Sequence, residues 1–196
     1  NTLVLLLGNE YKPNGKMAAG VSISTKTADG WSKPQTLEIP NNYNLSEKAN
    51  FYMANNRKAI IMAVERDDSY GDRDLYVSFL EDNGKWTEPK NLGQTVNTAS
   101  EESAPFLAAD DETLYFSSRG FRGYGGSDIY VTRRLDDTWQ NWSTPENIGQ
   151  PVNTGGFDAY YAIGNADTLV FTTRAHMSAD GGHLDIYSLK RIPKKK

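Results

Sequence analysis

A period of about 55 residues runs through this sequence and limits the folds that it can adopt. The motif Trp, Ser or Thr, any residue, Pro recurs at Trp31, Trp86 and Trp142, with spacings of 55 and 56 residues. Two further motifs have the same period. An apolar run that ends on Arg recurs at Arg66, Arg119 and Arg174. An Asp followed by Leu or Ile and then Tyr recurs at Asp74, Asp128 and Asp185. Three motifs with one period indicate a repeat architecture.

Each period contains four short runs typical of β-strands and no apolar run at helical spacing. In the best copy these runs, named A to D, cover residues 104–108, 113–118, 127–134 and 142–148. Strand B is apolar at consecutive positions, as in residues 60–62, which implies burial on both faces. WD repeats span roughly 40 to 45 residues and kelch repeats roughly 50, so this period implies long loops. The sequence therefore predicts an all-β protein, a β-propeller of four-stranded antiparallel blades.

The same pattern divides the chain into blades. We expect a partial blade over residues 1–47, full blades over 48–102 and 103–157, a partial blade over 158–190, and a basic tail or linker over 191–196. The first blade lacks strand A and the last lacks strand D, so the two ends do not complete each other. We therefore expect an incomplete ring or a fragment of a larger propeller, whose missing strands come from upstream sequence or from another chain.

Composition excludes several function classes. A net charge of −4 provides no basic surface for phosphates, which argues against nucleic-acid binding. The absence of cysteine removes disulfides, thiol nucleophiles and thiolate metal sites. The apolar run over residues 1–7 is too short to cross a bilayer and lacks the features of a signal peptide. No cofactor motif is present, and no direct membrane insertion is expected.

The third repeat carries a resemblance to a known family. Its segments cover residues 103–106 (SAPF), 114–119 (LYFSSR), 125–130 (GGSDIY), 142–149 (WSTPENIG) and 152–154 (VNT). Together they resemble the WD-repeat-like propeller repeat related to the TolB propeller. They are similar in particular to the copies in Bacteroidota envelope proteins, which often lie beside tetratricopeptide repeats and an OmpA-like peptidoglycan-binding domain.

The resemblance covers most of the chain from about residue 48 onward and weakens over residues 1–40, where Gly20-Val21-Ser22 replaces the Asp-Ile-Tyr motif. It implies a non-catalytic scaffold in the periplasm or at the outer membrane, in some relatives a part of the type IX secretion and gliding apparatus. Its implied partners are other envelope proteins, including a peptidoglycan-associated complex. The OmpA-like and tetratricopeptide parts are not in these 196 residues, so their functions do not transfer.

The repeated residues are interpreted as structural. A residue present in every blade serves the blade, so each Asp should hold its B–C hairpin through the neighbouring Arg or backbone N–H groups. This applies to the Arg66–Asp74, Arg119–Asp128 and Arg174–Asp185 pairs. Trp31, Trp86 and Trp142 are expected to pack between blades, because Trp buries a large area while its N–H needs one partner.

Residues that differ between blades are the better candidates for binding. The B–C loops and the loop before strand A should emerge on one face. We predict contacts there from Tyr11, Tyr70, Phe121, Arg122, Tyr124, Phe157 and His176. Aromatic and Arg side chains on exposed loops are typical anchors for protein partners or platforms for sugars. The alternative is that they pack down over the blade tops.

Metal binding and catalysis have weaker signals. The acidic stretch 67–74 lacks the spacing of a calcium loop, and His176 and His183 have no third zinc ligand in the pattern. No nucleophile motif is present. Glu47, Glu101, Glu102 and Asp158 lie near the starts of A strands, where two of them could form a glycosidase pair in the central channel. A carbohydrate-binding or glycoside-hydrolase propeller is therefore the alternative to a non-catalytic scaffold.

Overall fold

The chain folds as an all-β protein with four small antiparallel sheets arranged as a four-bladed β-propeller. The computed structural model describes residues 3–12, 14–164, 169–176 and 183–190. These residues contain no helix, and hence none long and apolar enough to cross a membrane. The predicted fold class is confirmed.

In the described part of the chain, the four blades contain fifteen strands. Blade 1 contains β1 (Val4–Tyr11), β2 (Met17–Thr27), β3 (Gly30–Trp31) and β4 (Gln35–Thr36). Blade 2 contains β5 (Asn50–Met53), β6 (Ala59–Val64), β7 (Asp74–Phe79) and β8 (Lys90–Asn91). Blade 3 contains β9 (Glu102–Leu107), β10 (Thr113–Ser118), β11 (Asp128–Arg133) and β12 (Glu146–Asn147). Blade 4 contains β13 (Asp158–Ile163), β14 (Leu169–His176) and β15 (His183–Lys190).

Blades 2 and 3 are four-stranded meanders in which each strand pairs with the next along the chain. These strands take the predicted positions A to D. In blade 4, the described strands are A, B and C. Blade 1 begins at strand B, and its position D is divided between β3 and β4, which both pair with β2.

Neighbouring blades pack face to face through three hydrophobic clusters. One joins blades 1 and 2 through Val21, Ile60 and Met62, and a second joins blades 2 and 3 through Ile61 and Phe116. A third cluster joins blade 3 to blade 4. Alternate residues of β6 thus face opposite neighbours, and all six of its residues are buried. This two-sided burial explains why strand B is apolar without alternation.

Every blade therefore has two distinct faces. We call the face toward the preceding blade the leading face, as with Ile60 and Met62, and the face toward the following blade the trailing face, as with Ile61 and Ala63. Strand register extends this assignment to the other blades.

Two blade faces have no cover among the residues that the structure describes. The leading face of blade 1 exposes Leu3, Leu5 and Trp31, and the trailing face of blade 4 exposes Phe171 and Ile186. Ile186 is 77% exposed, although its counterpart Leu75 in blade 2 is fully buried. Among the described residues, neither strand pairing nor a hydrophobic cluster joins blade 4 to blade 1.

The three Trp residues of the repeat have similar spacing but different surroundings. Trp86 and Trp142 lie on leading faces that meet a preceding blade, and they are 7% and 3% exposed. The indole N–H of Trp142 donates to the Trp139 carbonyl at 3.0 Å. Trp31 holds the equivalent position in blade 1 but is 48% exposed. The prediction that it packs between blades is wrong, because the described residues place no blade against that face.

Trp142→Ala and Trp31→Ala form a matched pair of substitutions. Trp142→Ala leaves a cavity between blades 2 and 3 and should lower the free energy of unfolding by about 3 to 5 kcal/mol. Trp31→Ala removes a half-exposed side chain and should cost less than about 1 kcal/mol. Guanidinium chloride unfolding, followed by Trp fluorescence and circular dichroism, measures both. Equal losses for the two variants would show that the leading faces are not packed as described.

Candidate functional site

The B–C loops of blades 2 and 3 are anchored by the first residue of strand C. Asp74 accepts hydrogen bonds from the Tyr70 backbone N–H and the Asn91 side-chain amide, both at 2.8 Å. Asp128 accepts from the Tyr124 backbone N–H and, at 3.4 Å, from the Asn147 amide. Each carboxylate thus joins a B–C loop to strand D of the same blade, and both carboxylates lie in buried positions. The backbone beneath Tyr70 and Tyr124 is fixed as a result.

A second set of polar contacts anchors the loop between strands D and A. The side chain of Asn97 accepts from the Leu75 N–H at 2.8 Å and donates to the Leu75 carbonyl at 2.9 Å. Asn153 makes the same two bonds to Ile129. The repeated Val-Asn-Thr segment marks these residues in the sequence, but its role was not predicted. Each Asn thus gives an acceptor to a buried backbone N–H of strand C, whose carbonyl also accepts from a backbone N–H next to strand D.

The B–C and D–A loops contact each other and form one surface, which we call the loop face. The Asp72 N–H donates to the Ser100 carbonyl at 3.2 Å. A Cβ on Gly71 would lie 2.4 Å from the Ala99 carbonyl carbon, and a Cβ on Gly125 would lie 2.1 Å from the Gly156 carbonyl oxygen. Only glycine allows this approach of the two backbones. The loops of neighbouring repeats therefore form a continuous surface.

Three predicted contact residues extend from the loop face into solvent. Tyr70 is 46% exposed and Tyr124 is 54% exposed, and Arg122 is exposed beside Tyr124. Tyr11, the last residue of β1, is also exposed. The rings of Tyr70 and Tyr124 stand on loop backbone that Asp74 and Asp128 hold in place. They occupy equivalent positions in adjacent blades, four residues before those carboxylates.

Phe121, Phe157 and His176 behave differently. Phe121 packs into the core between blades 2 and 3, with its ring 5.1 Å from Tyr130 and 6.2 Å from Phe116. For Phe121 the expectation of a contact residue is wrong, because the ring covers the blade top. Phe157 is half-buried and bridges to Ser127. The side chain of His176 lies outside the described residues.

The three repeated Arg residues have three different environments. Arg66 is buried, donates to the Asn41 carbonyl and lies 4.4 Å above the Tyr43 ring. Arg119 has a half-exposed side chain and donates to the Gly126 carbonyl at 3.3 Å. Arg174 donates to the Pro151 carbonyl and lies 4.7 Å above the Tyr187 ring. Asp74 and Asp128 thus hold their loops through backbone N–H groups, which is one of the two forms predicted, and Arg66 and Arg119 contact other groups.

Charged side chains surround a cavity of about 320 Å³ at the start of the A strands. Glu47, Glu65, Asp72 and Glu101 line it together with Lys48 and Arg73. Arg73 is buried and pairs with Glu101, which also lies 3.6 Å from the Arg119 guanidinium. Glu101 is thereby held by two cations in the interface between blades 2 and 3.

The central channel is lined by all four blades. A cavity of about 450 Å³ contacts Leu6 and Gly8 of blade 1, Phe51 of blade 2, Phe106 of blade 3 and Tyr161 of blade 4. These side chains make the channel wall largely apolar. A channel of this kind has space for a small ligand or a segment of chain.

Asn50 connects three blades inside the channel. Its side-chain oxygen accepts from the Ala104 N–H at 3.1 Å and from Arg73 at 3.2 Å, and its amide donates to the Tyr160 hydroxyl at 3.0 Å. Ala104 and Tyr160 have φ of 47° and 55° at the points where β9 and β13 shift register. These bulges bend strand A and turn its N–H toward the channel.

Two of the four candidate catalytic carboxylates are used within their own blades. Glu102 is fully buried and accepts from the Thr98 N–H, the Thr98 hydroxyl and the Ser118 hydroxyl, at 2.6 to 2.8 Å. Asp158 is also fully buried and accepts from the Thr154 N–H and hydroxyl. Neither residue lines a described cavity. Their geometry is that of a cap on the D–A loop rather than of an acid pair.

The acidic stretch 67–74 is likewise occupied by protein contacts. Asp67 accepts from the Tyr43 hydroxyl at 3.0 Å, and Asp68 accepts from the Tyr76 hydroxyl at 3.1 Å and lies beside Arg66. Within the described ranges no group of three His, Asp or Glu side chains is placed to hold a metal ion. The structure does not describe the side chains of the zinc candidates, His176 and His183.

Comparison with known proteins gives a similarity in structure at low sequence identity. No model of a protein family matches the chain, and no curated protein matches it in sequence. Among solved structures, the chain is similar to an α-L-arabinofuranosidase from Lactobacillus brevis, with 13% sequence identity and a TM-score of 0.46. The alignment covers 91% of this chain and 65% of that enzyme chain.

Glu102 should make the stability of the protein depend on pH. Burial raises its pKa from 4.5 to about 7, against the opposing effect of the hydrogen bonds from Ser118 and Thr98. Because the folded state binds this proton more tightly than the unfolded state, the stabilisation is complete below about pH 4.5 and is lost as pH rises through 7. A shift of this size corresponds to roughly 3 kcal/mol of unfolding free energy.

Glu102→Gln tests this assignment. Gln stays neutral, accepts from the Thr98 N–H through its oxygen and donates to the two hydroxyls. The variant should therefore lose most of the decline in unfolding free energy between pH 5 and pH 8. Denaturant unfolding at four pH values in that interval measures the slope. Identical slopes for the variant and the wild type would contradict the raised pKa of Glu102.

Proposed function

We propose that this chain is a non-catalytic scaffold that binds other proteins through its loop face. The observation that supports this most directly is the exposure of Tyr70 and Tyr124 on loop backbone fixed by buried aspartates. Tyr supplies a large contact area at low entropic cost, and it is enriched with Arg at the centres of protein interfaces. Arg122 provides such a cation beside Tyr124.

Preorganisation strengthens the proposal. A flexible loop must be ordered when a partner binds, and that ordering weakens affinity. In blades 2 and 3 the carboxylates of Asp74 and Asp128 hold the loops, and close backbone packing at Gly71 and Gly125 joins them to the neighbouring D–A loops. The aromatic side chains thus lie on a rigid base, and only their own rotamers remain to be ordered.

The contacts made by the candidate catalytic carboxylates favour binding over catalysis. Glu102 and Asp158 are saturated by hydrogen bonds from their own blades, and Glu101 is paired with Arg73 and Arg119. A glycosidase needs one carboxylate as acid and a second as nucleophile or base, both open to substrate. Three of the four candidates are therefore committed to other contacts.

The cellular place of the module is proposed from the sequence resemblance. The third repeat resembles TolB-related, WD-repeat-like propeller repeats of bacterial envelope proteins. We infer a periplasmic or outer-membrane-associated location, with other envelope proteins as partners and a peptidoglycan-associated assembly of the OmpA family as the setting. Fractionation of native cells with an antibody against residues 1–196 tests this location, and recovery from the cytoplasm alone would contradict it.

Alanine substitutions on the loop face should abolish partner capture and leave folding intact. The variant combines Tyr70→Ala, Arg122→Ala and Tyr124→Ala. Immobilised protein should capture fewer envelope proteins, by a factor of about ten or more, since central interface anchors each contribute on the order of 2 kcal/mol. Quantitative mass spectrometry of captured proteins measures the loss, and circular dichroism verifies folding.

The matched control is Leu135→Ala. Leu135 is 57% exposed but lies in the loop between strands C and D, at the opposite end of blade 3. This variant should capture the same partners as the wild type. If Leu135→Ala weakens capture and the triple variant does not, the binding surface lies on the other face.

A carbohydrate-active module is the second candidate, and one observation favours it. Glu47 and Glu101 line the same cavity of about 320 Å³ on the loop face, beside Glu65 and Asp72. Sugar-dependent thermal stabilisation and release of aryl leaving groups from a panel of glycosides would support this function. Activity that is lost in Glu47→Gln and Glu101→Gln would replace the scaffold proposal, whereas a full panel without stabilisation or turnover would eliminate the alternative.

A further inference from the structure

The sequence Asn-Gly-Lys occurs twice, in a first copy at residues 14–16 and a second copy at residues 83–85, and these contain the only Asn-Gly pairs of the sequence. An Asn before Gly is open to deamidation, because glycine has no side chain to hinder attack by its own nitrogen on the Asn side chain. Both copies lie in hairpins, the first between β1 and β2 and the second in the C–D loop of blade 2. Both are therefore candidate sites of modification.

The two copies have the same backbone geometry. In each, the Lys N–H donates to the Asn side-chain oxygen, at 3.0 Å in the first copy and 2.8 Å in the second. The glycine has a φ of 79° in both, and its N–H donates to the carbonyl three residues earlier. Every residue of the two copies is exposed. Backbone geometry and access to water thus do not distinguish them.

One carboxylate distinguishes the two copies. The Asn83 side-chain amide donates to the Glu81 carboxylate at 3.1 Å. The glutamate beside the first copy, Glu10, instead pairs with the Lys12 ammonium. In the described part of the chain, no carboxylate accepts a hydrogen bond from the side chain of Asn14.

We propose that Asn83 is a site of spontaneous deamidation and that the Glu81 carboxylate accelerates the reaction. The Gly84 nitrogen attacks the side-chain carbonyl carbon of Asn83, a C–N bond forms, and the proton of the attacking nitrogen passes to Glu81. The bond from that carbon to the side-chain nitrogen then breaks, and the nitrogen takes the proton from Glu81 and leaves as ammonia. Water opens the resulting succinimide and gives Asp or isoaspartate. The site lies at the opposite end of the blades from the loop face, so the proposal does not depend on the function assigned there.

The contacts of the second copy suit each step. The Lys85 N–H polarises the Asn83 side-chain carbonyl and stabilises the negative charge that develops on its oxygen. In the tetrahedral intermediate both nitrogens are bonded to one carbon, so a carboxylate beside the leaving nitrogen also reaches the attacking one. A group in this position can carry the proton between them. The hydrogen bond of the glycine N–H must open first, but the first copy has the same requirement.

Deamidation of Asn83 should weaken the contact between blades 1 and 2. Isoaspartate adds one carbon atom to the main chain at the hairpin tip, where the Glu81 N–H donates to the Lys85 carbonyl. Leu80 and Trp86 pair next to this tip. Because Trp86 is buried in the cluster that joins the two blades, a shift of the hairpin disturbs their packing.

Peptide mapping by mass spectrometry tests the proposal on the full 196-residue chain, incubated in mildly alkaline buffer. In the folded protein Asn83 should deamidate several-fold faster than Asn14. Glu81→Gln should lower the rate at Asn83 to that at Asn14. The matched control is Glu10→Gln, which removes the carboxylate beside the first copy and should change neither rate. In guanidinium chloride the two rates should converge, because unfolding removes the Glu81 contact.

Stability measurements test the consequence for the blades. Protein aged in this way should unfold at a lower denaturant concentration than fresh protein, and Asn83→Gln should prevent the loss, whereas Asn14→Gln should not. Circular dichroism verifies that each variant is folded. Equal rates at the two sites in the folded chain, an unchanged rate at Asn83 in Glu81→Gln, or no mass increase at Asn83 would each overturn the proposal. Aged protein as stable as fresh protein would overturn the link to blade packing.

Discussion

The mutual burial of blade faces is the constraint on which the rest of this structure depends. No blade can cover its own apolar faces, because strand B contributes side chains to both of them. Each trailing face therefore needs a leading face, and the repeat supplies it at intervals of about 55 residues. The Trp of strand D belongs to this packing, since Trp86 and Trp142 extend the leading face beyond strands B and C. The packing of the faces does not determine the conformation of the loops, which hydrogen bonds within each blade hold in place.

Those hydrogen bonds separate a constant frame from a variable surface. Asp74 and Asp128 hold the loop backbone, and Asn97 and Asn153 hold the segment that leads to the next blade. All four side chains bind backbone groups or an Asn side chain of their own repeat. Exposed side chains on these loops can therefore change without loss of the loop conformation. Tyr70, Arg122 and Tyr124 are side chains of this kind, and their exposure makes them the better candidates for recognition.

The repeat predicted the fold, the strands of blades 2 and 3 and the anchoring role of the aspartates, because these features depend on local pattern within one period. It did not predict the exposure of Trp31, which depends on whether another blade lies against blade 1. The repeat also left open whether Phe121 would turn into the core, since a loop aromatic can cover a blade or extend into solvent. The left-handed backbone at Ala104 and Tyr160 has no local signal either, because neither residue type favours positive φ. Tertiary contacts decided each of these cases.

The unequal packing of the blades has a consequence for how the molecule opens. Blades 2 and 3 have a neighbour on both sides, whereas blades 1 and 4 have described contacts on one side only. In a repeat array, stability is approximately a sum of terms within blades and between neighbours, so the outer blades should unfold locally at lower free energy than the centre. Blade 1, with the exposed edge of β1, is then the first part of the molecule to respond when its surroundings change.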